Sequence, residues 1–508
     1  MELEGINKEN TCEVKRFIEL LDETKKKLPN KEKYSQYYTP INIASYMASM
    51  FSEPNRKVIK VLDPCCGEGI LVIAFLLRLL QSRNKEVKKV NVIMYEIDSE
   101  LIIKLKKNIN KVTKYLQSEG IQVNYKIINE NFILNYREEI DFNYIIVNPP
   151  YMKLINDSQD NKRLNKLDIN VTNYYAAFIS LCKRLLVKNG EMVAITPRSF
   201  CNGTYYLWFR KDIISDMIFD KIHLFESRKD IFKNDDILQE NIIYHCIKRK
   251  PNPGSKVKII YSYNDSLRDN TIIERRFDEV VFPNDSKCMI RILKDNQEEE
   301  ITRKINSLNY DLKSINIEVS TGPVVDFRQE KNILLKKYLK GSIPIFFSEH
   351  IAMSGINWPK EDIKKYNYML LNDKNKSLVR KSGNYVILKR MTSKEEKRRI
   401  VSSICEGKKY NNMFVTFDNK VNYFHRNGAG LPLLIAKGLS IYLNSTIVDM
   451  YFRTFSGNTQ VNVTDLRSLK YPNEETLYKL GNEYELIYIN QELIDLAVEN
   501  IVFNNSKS

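Results

Sequence analysis

The sequence is poor in the residues that metals and disulfides need. Only four histidines occur, His223, His245, His350 and His425, and their wide spacing matches no zinc pattern. A metal hydrolase is therefore disfavoured, and no metal site is expected. The eight cysteines are scattered without a C-x-x-C pair, and no secretory signal opens the chain. Reduced thiols in the cytoplasm are the expectation. Long hydrophobic runs are missing too: the longest, Ile70 to Leu77, is far too short to span a bilayer. There are no internal repeats and no long low-complexity segment. Acidic residues are the minority charge, 63 Asp+Glu against 79 Lys+Arg, for a net charge of +16. That excess favours a polyanionic partner such as nucleic acid. The 30 tyrosines could stack on bases or simply fill core and surface.

A chain of 508 residues is expected to form two or more domains. From Lys57 to about Arg249 short β runs alternate with amphipathic helices. "KVIKVLD" precedes a helical run from Ile70 to Gln81. "VNVIMYEID" is a second strand, followed by a helix capped by Ser99 and stopped at Gly120. "YKIINENF" and "YIIVNPP" are the third and fourth strands, Asn173 to Lys188 reads as a helix, and "EMVAITP" is a fifth strand. This alternation predicts an α/β domain with a mostly parallel sheet covered on both faces. "KPNPGSK", Lys250 to Lys256, reads as a linker, which sets expected domains at 1–250 and 251–508.

In open α/β sheets, ligands bind beyond the carboxyl ends of the strands. Three strand ends carry polar signals. "DPCCGEG", Asp63 to Gly69, has two glycines that permit a tight turn and close backbone approach. Val72 stands where the dinucleotide fingerprint needs its third glycine, and no Lys-Ser/Thr pair follows, so neither a nicotinamide site nor a phosphate loop is favoured. Glu96 ends the second strand, where an acid can accept the two hydroxyls of a ribose. The fourth strand ends on Asn148, Pro149, Pro150 and Tyr151. Prolines fix φ and lack an N–H, which makes the Pro149 carbonyl a rigid acceptor, and the Asn148 side chain offers a second. Two fixed acceptors suit a planar amino group with two hydrogens, such as N6 of adenine. Holding both hydrogens off-plane exposes the nitrogen lone pair, and Tyr151 offers a face to the base.

"DPCCGEG", "YEID" and "NPPY", in this order and each after a strand, resemble the S-adenosylmethionine-dependent amino-methyltransferases. With the upstream "QYYTP", they resemble the TaqI-type (gamma-class) N6-adenine DNA methyltransferases of type II restriction–modification systems. "STGPVVDFR", "YVILKRMTSKEEKRRI" and "YFRTFSGNTQVNVTDLRSL" look like segments of the BsuBI, PstI and Eco57I modification methylases. The resemblance implies a class I methyltransferase fold, Rossmann-like with a seven-stranded, mostly parallel sheet. It also implies a separate C-terminal α+β target recognition domain. The implied cofactor is S-adenosyl-L-methionine and the implied partner is double-stranded DNA, with a cognate restriction endonuclease as a separate protein. A monomer suffices, no membrane is involved, and the setting is the prokaryotic cytoplasm.

Residue by residue, the resemblance assigns cofactor contacts to Thr39, Asp63, Cys65, Gly67, Gly69, Glu96 and Asn148. Where the family often has an acid before Phe at the end of the third strand, this chain has Asn131, with Glu130 as the alternative partner. Asn148 to Tyr151 become the catalytic tetrad, and Phe178 and Phe232 are candidate walls of the target-base pocket or core residues. The base is expected to flip out of the duplex. Lys389, Arg390, Lys394, Arg398 and Arg399 either meet DNA or form an ion-paired helix face. Asn458 and Gln460 lie in a polar loop that either reads base edges or is a surface turn. The rivals are an RNA adenine methyltransferase, a fused enzyme with nuclease activity, and a non-catalytic specificity subunit. The short stretch before "YYTP" argues against a nuclease domain ahead of it, and the intact NPPY argues against the specificity subunit.

Overall fold

The computed structural model describes residues 39–504, except 84, 139–140, 226–240, 263–269, 284, 394, 411–412, 457–458 and 488–489. The chain divides into two compact units, Met1–Lys294 and Asp295–Ser508.

The first unit is built on one sheet of nine strands in the order β3-β2-β1-β4-β5-β7-β6-β8-β9. They are β1 Val58–Asp63, β2 Lys89–Tyr95, β3 Gln122–Ile128, β4 Phe142–Val147, β5 Leu186–Pro197, β6 Met217–Phe225, β7 Asn241–Lys248, β8 Lys256–Ser262 and β9 Asn270–Arg276. Strands β1 to β5 run parallel, and β7 is inserted antiparallel between β5 and β6. β8 runs parallel to β6, and β9 returns antiparallel beside it. The expectation of seven strands is thus corrected to nine. The boundary at residue 250 is corrected with it, because the Pro/Gly stretch at 250–256 only turns the chain from β7 into β8. A Pro-Gly segment looks alike whether it joins two domains or two neighbouring strands.

Both faces of the sheet are covered, as near-continuous apolar strands require. Leu62, Ile145 and Val147 enter one apolar cluster, while Val61, Tyr144 and Ile146 enter the other. The successive residues alternate because strand side chains have a period of two. The expected helix over Asn173–Lys188 ends at Leu185, where Leu186 turns extended and starts β5.

The strand order reverses between β1 and β4, which pair directly through Val61↔Tyr144 and Leu62↔Ile145. Their carboxyl ends therefore open a crevice at the switch point. The two segments singled out for chemistry, which follow β1 and β4, face each other there.

The second unit contains a four-stranded sheet (318–321, 421–425, 385–389, 402–405) and a five-stranded sheet, with helices that include Leu433–Leu443, Thr446–Phe455 and Glu474–Asn482. Its secondary structure is therefore mixed α and β.

Candidate active site

The turn after β1 is shaped by two left-handed glycines. Gly67 has φ 53 and Gly69 has φ 87, the latter serving as N-cap of the helix Ile70–Leu80. A Cβ on Gly69 would come within 2.7 Å of Leu105 Cδ1. Around Gly67 there is open space instead, so the backbone itself is presented to a ligand. Asp63 Oδ1 accepts from the Cys65 N–H at 3.2 Å and closes the turn. Burial, reinforced by the nearby Glu96 charge and opposed by that hydrogen bond, pushes the Asp63 carboxyl up to about 8. Burial thus favours the neutral form of this carboxyl.

Glu96, at the end of β2, accepts from the Gly67 N–H at 2.7 Å with Oε2 and from the Asp98 N–H at 2.8 Å with Oε1. Burial raises its affinity for a proton, and these two N–H groups work against that. The bonds hold the carboxylate against the glycine turn, with a lone pair left on each oxygen.

At the end of β4, the Asn148 Nδ2 donates to Thr39 Oγ1 at 2.9 Å. The bond joins residues 109 apart in sequence and holds the amide with its nitrogen toward Thr39. Nδ2 is tied to the buried threonine, and Oδ1 becomes the acceptor offered to a ligand. The Asn148 carbonyl accepts from the Cys65 thiol at 3.2 Å, linking the two strand ends a second time. The Tyr151 hydroxyl donates to the Ile195 carbonyl at 3.2 Å, and its ring meets Tyr175 edge-on at 6.4 Å.

These groups surround a cavity of about 430 Å³ at the switch point. Of the expected site residues, Thr39, Cys65, Gly67, Glu96, Asn131 and Asn148 line it, together with Pro149, Pro150 and Phe178. Asp63, Gly69 and Tyr151 are not among its lining residues. Asp63 and Gly69 shape the turn, through the bond to the Cys65 N–H and the left-handed backbone that starts the helix. Phe178 packs on Phe132 with ring centroids 5.3 Å apart, on the wall shared with Asn131.

The Asn131 side chain is fully engaged. Its Oδ1 accepts from the N–H groups of Ile133 at 2.8 Å and Leu134 at 3.2 Å, and its Nδ2 donates to Asp160 at 2.9 Å. The acceptor expected of Asn131 is therefore taken by its own turn. Glu130, the alternative to Asn131, lines the cavity, as does Glu68 of the glycine turn; Ile97, Met152, Ile155, Asp160 and Tyr174 line it too and were not singled out from sequence. Nothing local marks them: Asp160 reads as an ordinary first-turn acid of the helix Gln159–Asn165.

The basic run in the second unit is resolved differently from expectation. Arg399 is 0% exposed; it donates to Thr392 Oγ1 and the Ser456 carbonyl, both at 3.2 Å, and its guanidinium lies 5.2 Å from the Phe452 ring centroid. Arg398 donates to Gln491 and to the carbonyls of Asn444 and Ser445. Arg399 is thus enclosed by the fold and closed to a phosphate or a base, while Arg398, partly exposed, is tied to three neighbouring groups. Arg390 and Gln460, distant in sequence, are brought side by side, with Arg390 donating to Gln460 Oε1 at 3.2 Å. Lys389, half-buried, precedes them on the strand 385–389. Phe232, Lys394 and Asn458 lie outside the described residues.

Among the described residues there is no group of His, Cys, Asp and Glu fit to hold a metal ion, and no single helix long and apolar enough to cross a membrane.

Residues 74–232 match the family model described as Eco57I restriction-modification methylase. The chain is 38% identical over 488 residues to the type II methyltransferase M.PstI of Providencia stuartii, covering 94% of this chain and 93% of that one. It is also 38% identical over 492 residues to M.BsuBI of Bacillus subtilis, covering 94% and 96%. M.HincII of Haemophilus influenzae is 27% identical over 222 residues, covering 42% of this chain and 37% of its own. Identity of this extent, running through nearly the whole of M.PstI and M.BsuBI and carried on a switch-point cavity between the β1 and β4 ends, means that the chain belongs to the family of type II restriction–modification methyltransferases.

Proposed function

We propose that the protein transfers a methyl group from S-adenosyl-L-methionine to N6 of an adenine flipped out of double-stranded DNA, protecting that sequence from a cognate endonuclease. The observation that carries this reading is the amide of Asn148, whose nitrogen is bonded to Thr39 and whose Oδ1 is thereby turned from it, at the start of the rigid NPP segment. Two such acceptors fit the two hydrogens of one planar amine.

The cavity suits the cofactor. The open Cα of Gly67 supports close backbone approach, and the Glu96 carboxylate, which lines the cavity, is the proposed acceptor for the two ribose hydroxyls. Glu68, which lines the cavity and pairs with Lys104 at 2.6 Å, keeps an unpartnered Oε2 among the described residues for a cationic group. Bound there, S-adenosylmethionine supplies an electrophilic methyl group. The chain's own part is placement. Asn148 Oδ1 and the Pro149 carbonyl grip the amino hydrogens, draw the nitrogen out of conjugation and leave its lone pair facing the methyl group. Tyr151, pinned through its hydroxyl to Ile195, offers the base a ring face worth roughly 1–3 kcal/mol.

A cytosine-C5 reaction needs a cysteine thiolate. Burial holds the Cys65 thiol well above its ordinary value, and the hydrogen it donates goes to Asn148. In the second unit, Lys389, Arg390 and Gln460 are the proposed DNA contacts, Asn and Gln amides being suited to adenine edges.

The test is Asn148→Ala. Methyl transfer to duplex DNA is expected to fall by at least about 100-fold, the scale of losing one aligned electrostatic group, while the cofactor product still binds. Single-molecule sequencing of DNA from an expressing host should report N6-methyladenine; N4-methylcytosine there, or unimpaired transfer by the variant, refutes the proposal.

A further inference from the structure

The cavity has an apolar end. Phe132 and Phe178 pack together on one wall, while Ile97 and Ile155 line the cavity with 43% and 66% of their surfaces exposed. Apolar side chains left accessible inside a cleft are surface that a ligand covers, and aromatic neighbours favour a flat ring. A planar heterocycle in such a slot is told apart from others by the polar groups at its edge.

Two carboxylates beside Asn131 line the cavity, Glu130 next to it in sequence and Asp160 bonded to its amide, and Asp160 is held by two side-chain donors. Its Oδ1 accepts from Asn131 Nδ2 at 2.9 Å, and its Oδ2 accepts from the Tyr174 hydroxyl at 2.7 Å. Tyr174 stands one helical turn before Phe178 on the helix Tyr174–Leu185, so one helix supplies both the ring wall and the donor that orients the carboxylate. Each carboxylate oxygen has two acceptor sites, so each keeps one. Asn131 has its oxygen committed to two backbone N–H groups, and Glu130, which also lines the cavity, is exposed to solvent. Asp160 is therefore the acceptor that the fold holds in a fixed orientation for a donor on the ligand.

We infer that Asp160 is a specificity-determining residue of the cofactor site: its carboxylate accepts a hydrogen from the exocyclic amine of the cofactor's purine. This rests on the reading of the cavity as the S-adenosylmethionine site. The acceptor is supplied from the helix after NPPY, and Asn131 at the end of the third strand serves as its anchor. The carboxylate selects an amino group against a carbonyl at that edge, because a purine oxygen would face a second acceptor.

The test compares binding of S-adenosylhomocysteine and its inosine counterpart, which carries a carbonyl in place of the amine, by calorimetry without DNA. Wild-type protein is expected to prefer the adenosine compound by about 10–100-fold, the range for a hydrogen bond to a charged group. In Asp160→Asn the amide oxygen keeps the bond from Asn131, which can only donate, and the NH₂ takes the place of Oδ2, where it faces Tyr174 and the ligand as a donor. The preference should then shrink to within about threefold or invert. A ratio of two affinities is insensitive to partial unfolding, which weakens both ligands alike. Tyr174→Phe, which frees one side of the carboxylate, should narrow the preference less. An unchanged ratio in Asp160→Asn, or no wild-type preference, overturns the assignment while leaving the cofactor reading intact. Failure of wild-type protein to bind either compound overturns both.

Discussion

Replacing Thr39 by valine keeps the volume of the side chain and removes the one oxygen that holds Asn148. The hydrogen bond it breaks is 2.9 Å long, and its acceptor is a threonine only 8% exposed. A neutral hydrogen bond is worth about 1 kcal/mol net, and a donor left facing a buried methyl group loses roughly 1–3 kcal/mol. Asn148 is only half-buried, so water recovers part of that. The amide then gains freedom to turn over and present Nδ2, a donor, to an amine that needs an acceptor. A bias of about 1–2 kcal/mol against the competent orientation slows the chemical step about 5- to 30-fold. The measurement is a single-turnover methyl transfer to saturating duplex DNA. Thr39→Ser restores the hydroxyl and should recover most of the rate. Wild-type speed in Thr39→Val, or equal slowing in Thr39→Ser and Thr39→Val, would refute the claim that the hydrogen bond, not the shape of the residue, sets the amide.

Two further outcomes concern stability. Arg399→Ala empties a fully buried site and strands its partners Thr392 and Ser456; a loss of about 2–4 kcal/mol in urea unfolding is expected, whereas Lys397→Ala, on an exposed residue, should stay within about 0.5 kcal/mol. For Asp63 the folded carboxyl is pushed up to about 8, above its unfolded value, so its contribution is full at acid pH and is lost as pH rises from the ordinary carboxylate range through about 8. Asp63→Asn keeps the acceptor for Cys65 N–H and should make the protein relatively more stable at pH 8 than at pH 5, measured by thermal unfolding; an unchanged pH dependence contradicts a buried, protonated Asp63.

The sequence by itself determined the parts of the site that are local. A strand that ends in two glycines, one that ends in an acid and one that ends in NPP each announce their geometry through φ restrictions and hydrogen-bonding capacity within a few residues. Alternation of strand and helix then places all three ends on one edge of a parallel sheet, which is why the cavity lies where those motifs pointed. Only the tertiary structure decided what depends on residues far apart in the chain. It added β8 and β9 to the sheet beyond a segment that reads as a linker. It turned Arg398 and Arg399 inward, because the carbonyls they meet belong to residues more than forty positions away. It gave the orientation of Asn148 to Thr39 and brought Asp160 to the cavity through Asn131 and Tyr174. The physical reason is that the partner of a buried polar group is chosen by whatever the fold carries to within about 3 Å of it, and no spacing within a short stretch records that choice.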